Sequence, residues 1–535
     1  MQRTGGGNRD RVLIEPGGLR RGARRLRDAN VELEQVSRRM DAEAMPEMPD
    51  GMVAFVRTEL ERIAALLADQ TVTYRESSVE LDRRAFWTDI ADAIASGTQL
   101  TATQTRTFVS YLKDGTLVGY AEPWQAELAG SYVGTLYRSH LEDPQRLTEL
   151  SDILAQNEAN AGFSAGFVQS FGSGSLLGVP RVLQGMEVAP LYRPGTRDGL
   201  AATPPLAAAA PGVAERLGTA GYRLERDPRE LVTPFSLAFA TAVASGKLDR
   251  KTEDEVAGHD DTWAVGQLAS QGDFSTQFLV GLAGGGLVRR VLAEATGAQP
   301  QAYAFGAFWS GGATLPVDGK TLVLQSLARR PDAAGRALMA PLAFGPEGFT
   351  GPEAAAAQKL GTPLELLYRY GRFDDGGASF AAAFAKGVDG LLEAGDPAAA
   401  ADLAERMGSE VLRDARDPNL HDLGIVTDSL AGVLGKHYLG DLHAAAAASV
   451  SAFDWDGDGD GALGSSTMGL AFSHRQTIGL FRAFLDRPET GDRILVDIGR
   501  YQAELADANA VPRPPVPDWV DRLRGFDRLL TAART

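Results

Sequence analysis

The sequence predicts an all-α protein, on two observations. Apolar residues recur at helical spacing along most of its 535 residues, and alternating β-branched runs bounded by turns are short and few. The clearest helical pattern comes first. After the breaker Pro16-Gly17-Gly18, Leu19, Ala23, Leu26, Ala29, Leu33, Val36 and Met40 recur in steps of three and four, which sets them on one stripe of one helix. A proline-bearing break runs from Asp41 to Asp50, and Val56, Leu60, Ile63, Leu67, Gln70, Tyr74 and Leu81 then restart a near-heptad seam. Two seams joined by a short break are expected to fold onto each other, giving an antiparallel helical hairpin over residues 1–84. Leu26, Leu33, Val56, Leu60, Ile63 and Leu67 are the expected partner-binding face.

A helical block is expected over residues 85–188, followed by a Pro/Ala-rich linker over 189–230 that contains Pro194-Gly195 and Pro204-Pro205. Further helical blocks occupy 231–350 and 351–510, the latter with an acidic loop at 454–461. The tail over 511–535 opens with the proline-rich run Val511 to Pro517, expected to be extended, and closes on a short helix from Asp518 to Ala533. Two internal similarities link the blocks. Ala91 to Gly97 recurs as Ala240 to Gly246, each reading as a helix closed by glycine. Phe163, Phe167 and Phe171 recur as Phe274, Phe278 and Leu282, and again as Phe380, Phe384 and Val388; spacing of four stacks them on one helix face, so core packing is their expected role.

Composition narrows the function classes. A formal charge of -17 repels a phosphate backbone and argues against nucleic-acid binding. The cluster Arg20, Arg21, Arg24, Arg25 and Arg27 reads as the solvated face of the first helix, or else as a patch for an acidic partner. With no cysteine, thiolate catalysis, disulfides and Cys-ligated metals are excluded. No signal-type apolar region and no run of 18 or more apolar residues occurs, so neither a membrane span nor classical secretion is expected.

The hairpin resembles the small helical hairpins of actinobacterial type VII (ESX) secretion. The phenylalanine and glycine blocks, the stretch Thr427 to Asp441 and the segment Phe472 to Leu505 resemble an uncharacterised helical family attached to such hairpins. This resemblance implies a partner that is a small helical hairpin protein, or self-association, and a location in the cytoplasm or outside the cell by a non-classical, type VII route. The chain departs from that pattern in the turn Met45 to Gly51, which lacks the Trp-x-Gly of those hairpins; Trp-x-Gly occurs at Trp309-Ser310-Gly311 and Trp455-Asp456-Gly457. A Tyr-x-x-x-Asp/Glu export signal is missing after Tyr74, where Ser78 stands, and is matched at Tyr370 to Asp374.

Several stretches carry possible chemistry. Gly162-Phe163-Ser164-Ala165-Gly166 matches a hydrolase nucleophile elbow, which needs a buried strand before it; Leu154 to Ala161 reads as helix end or loop, and Phe163 already belongs to the repeated aromatic face. Asp456, Asp458 and Asp460 stand at positions 1, 3 and 5 of an EF-hand-type loop with glycine at 6, but Thr467 replaces the bidentate glutamate at 12. A weak calcium site and a solvated acidic turn both fit, and no other cofactor is implied. His437 and His443, six residues apart, fall on different helix faces and make a poor zinc pair. Gly281 to Gly286 reads as a helix terminator.

The expected function is therefore non-enzymatic: a scaffold or substrate associated with type VII secretion that pairs through its N-terminal hairpin. One alternative is the delivery region of an effector or toxin protein without a toxin domain, since about 25 residues after Val511 are too few for a catalytic fold. A serine hydrolase acting through Ser164 is the other.

Overall fold

The computed structural model describes residues 16–42, 50–191, 211–295, 297, 317–342, 361–414, 424–442, 470, 472–509 and 519–534. Among them every extended regular element is a helix, so the all-α class holds. The chain forms two compact units, one from residues 1–137 with 152–171, the other from 138–151 with 172–535.

The first unit holds α1 (Pro16–Ala42), α2 (Asp50–Ala95), α3 (Ala102–Lys113), α4 (Pro123–Tyr137), the second half of α5 (Pro144–Asn157), and α6 (Ala161–Phe171). α2 passes without interruption through residue 84, so the N-terminal pair shares a helix with the block that follows it. It stops at Gly97, whose φ of 72° suits glycine; the amides of Gly97 and Thr98 donate back to the carbonyls of Ile94 and Ala93. α3 begins with a reciprocal capping box between Thr101 and Gln104. The tightest contact is α4 against α6. A Cβ on Gly130 or on Gly166 would lie 2.0 Å from Phe163 O or 2.1 Å from Glu127 O respectively, so the helices meet backbone to backbone. Phe163, Phe167 and Phe171 are fully buried, and the latter two rings stack at 4.8 Å.

The second unit continues with α7 (Ser173–Val188), α8 (Pro211–Thr219), α9 (Pro228–Ala244), α10 (Arg250–Ala257), α11 (Thr262–Ala269), α12 (Thr276–Leu282), a π-helical segment (Ala283–Leu287) and α13 (Val288–Ala295). Then come α14 (Gly319–Ala328), α15 (Pro331–Met339), α16 (Pro363–Tyr370), α17 (Ala378–Glu393), α18 (Pro397–Asp414), α19 (Gly424–His437), α20 (His474–Leu485), α21 (Pro488–Asn509) and α22 (Trp519–Arg534). α11 packs on α14, α14 on α17, and α17 on α15, α18 and α19. Phe274, Phe278 and Leu282 line one buried face, and Phe380, Phe384 and Val388 another. α16 is clamped to α18 by Arg369, which donates to both oxygens of Glu410 at 2.8 and 2.6 Å.

Two expectations change here. Part of the Pro/Ala-rich linker is helical: α8 buries Val213, Ala214 and Leu217, whose spacing makes an amphipathic turn that the surrounding prolines mask. Gly281 to Gly286 does not end a helix. The chain widens into the π segment and continues as α13, because Gly286 lies against the carbonyls of Ala257 and His259, where a Cβ would sit within 3.0 Å of both oxygens.

Candidate interaction surface

α1 and α2 pack side by side. Ala23 and Ala85 are fully buried, and Gly22 leaves room for Leu81. Arg20 pairs with Asp89 and Arg27 with Asp82, and both pairs fit a single antiparallel register. Asn30 and Ser78, 9% and 2% exposed, fall at one level of that register and put a polar layer in the seam; Asn30 Nδ2 donates to Glu34 at 3.2 Å while its Oδ1 is buried without a hydrogen bond.

The register also sets where α1 ends along α2. Ala42 comes level with Leu67, so the stretch from Asp50 to Leu66 runs beyond α1 for roughly 25 Å at helical rise. Thr58, Glu61, Arg62, Ile63, Ala65 and Leu66 in that stretch are all exposed. The helix face turned away from α1 is likewise exposed from Glu61 to Val79. Ala65, Ala68, Val72 and Val79 are exposed there, Val72 at 53%. Farther along the same face, Trp87 and Ile90 are buried, with Trp87 edge-on to Phe108 at 5.8 Å and Arg83 lying over Tyr120 at 5.1 Å. Of nine large apolar side chains exposed among the described residues, five lie on α1 and α2: Val31, Ile63, Leu66, Val72 and Val79. That concentration makes this pair the candidate interaction surface.

The six residues expected to bind a partner are not brought together as one face. Leu26 and Leu67 are half-buried between the helices, and Ile63 lies exposed on the overhang. The side chains of Leu33, Val56 and Leu60 lie outside the described residues, as do Asp456, Asp458 and Asp460 and with them the whole expected calcium loop. Among the described residues no group of acidic or histidine side chains is arranged to hold a metal. In the sequence the outward stripe of α2 is masked by the stronger heptad seam on the opposite face. Ala65, Ala68, Val72 and Val79 themselves follow heptad spacing and were findable.

Ser164 is not on a nucleophile elbow. It lies inside α6, fully buried, and its Oγ donates to the Glu158 carbonyl at 2.8 Å. Gly162 and Gly166 are explained by the contact with α4, where a Cβ on Gly162 would stand 2.7 Å from Pro123 O. His437 faces Asp389 at 2.7 Å, and Lys436 reaches the same oxygen at 2.8 Å. Burial pushes the Asp389 carboxyl up, but hydrogen bonds from Lys436 and His437 outweigh it and hold the group below its usual range.

A buried ionic cluster in the second unit had no signal in sequence. Lys320 is 1% exposed and donates to Glu294 Oε2 at 2.6 Å; Arg290 takes the other oxygen at 2.8 Å. Asp318, also 1% exposed, caps α14 through Thr321 N at 2.6 Å and accepts from Asp374 N at 3.2 Å. Desolvation, then the Asp318 charge, pushes the Asp374 carboxyl above the usual range at the rim of this cluster. A cleft of about 600 Å³ opens between α20, α21 and α22 in the same unit, with Arg482, Asp486, Asp492 and Arg534 at its wall. Arg482 is engaged in bonding the carbonyls of Ala532 and Ala533 at the end of α22.

No protein-family model, no curated protein and no solved structure matches this chain. No helix among the described residues is long and apolar enough to cross a membrane.

Proposed function

We propose that this protein is a non-enzymatic helical scaffold or substrate associated with type VII secretion, which pairs with another helical protein through α1 and α2. The observation that carries the reading is the set of large apolar side chains that α2 leaves exposed. A helix of 46 residues is covered by α1 along only part of its length: Ile63 and Leu66 stand in water past the end of α1, and Val72 and Val79 stand in water on the side turned away from it. Such a concentration of exposed apolar side chains marks a surface that a partner helix buries. The alternative of a serine hydrolase acting through Ser164 is disfavoured, because that hydroxyl is buried and engaged with a carbonyl.

Fractionation of the tagged chain in its native host, with and without the type VII secretion ATPase, tests this reading. Appearance outside the cell only when the ATPase works, or cytosolic retention in a complex with a small helical partner, is the expected result. Retention with no helical partner in either strain overturns it.

A further inference from the structure

We draw no further inference here: the strongest candidate, the N-terminus of α7, where Gly172 supplies no side-chain cap and the Arg138 guanidinium stands nearby, is a helix N-terminus with nothing that points to a ligand, since Ser173 already donates to Glu255 at 2.6 Å and none of the buried, unpartnered polar atoms among the described residues lies there.

Discussion

Gly130 of α4 meets the backbone of Phe163 in α6 so closely that a methyl group has no room: its Cβ would stand 2.0 Å from the Phe163 carbonyl oxygen and 2.9 Å from Phe167 N. Neither atom belongs to a flexible side chain, so the helices must separate to admit it. Gly130→Ala is therefore expected to destabilise the first unit by about 2–3 kcal/mol, read from urea unfolding followed by circular dichroism. Ser164→Ala removes one neutral hydrogen bond and is expected to cost about 1 kcal/mol. A neutral Gly130→Ala would mean that α4 and α6 are farther apart than described.

The same contact explains what the sequence could and could not say. The aromatic triplets were legible because period-four spacing directly encodes a buried helix face. Gly162 and Gly166 were legible only as a motif, since a glycine pair four residues apart serves a tight turn and a tight helix crossing equally well. What separated the two uses was the lack of a preceding strand. The overhang of α2 was not legible: periodicity gives the face of a helix but not the offset between two helices, which the pairing of Arg20 with Asp89 and Arg27 with Asp82 sets here. The ionic cluster was invisible for a similar reason. Lys320 and Glu294 are 26 residues apart in sequence and become partners only when α13 and α14 are placed.

Replacing Lys320 removes the cation that Glu294 and Asp318 share in the interior. Arg290 continues to neutralise Glu294 on its other oxygen, but Asp318 is left with backbone donors only. Lys320→Met is expected to destabilise the second unit by about 3 kcal/mol, because an uncompensated buried carboxylate costs more than the apolar replacement returns. Thermal unfolding at neutral pH measures it. If Lys320→Met matches the parent chain, the cluster has no net role in stability.

Burial raises the Glu158 carboxyl from 4.5 to about 7, so the folded first unit holds a proton that the unfolded chain releases at lower pH. Stability is then greatest below the unfolded value and falls as pH rises from 4.5 through 7. Glu158→Gln is expected to flatten that slope and, with allowance for the partial exposure of the side chain, to stabilise the unit by about 1 kcal/mol at pH 8. Urea midpoints at pH 5 and pH 8 for the two proteins check this: the parent should lose stability between them relative to the variant. Parallel pH profiles would assign the slope to another group.

The register of α1 on α2 separates two residues that belong to the same helix and look alike in sequence terms. Ala85 lies under α1 and is fully buried, whereas Ile63 lies past its end and is 42% exposed. A carboxylate at Ala85 would be desolvated without a partner, so Ala85→Asp is expected to cost about 3 kcal/mol or more. Ile63→Asp places its charge in water and is expected to stay within about 0.5 kcal/mol of the parent chain. Hydrogen exchange of the α1 amides distinguishes the two cases, since protection there depends on α1 staying docked: Ala85→Asp should abolish it and Ile63→Asp should leave it intact. Loss of α1 protection in Ile63→Asp would mean that α1 covers the helix as far as Ile63, closing the overhang on which the pairing surface depends.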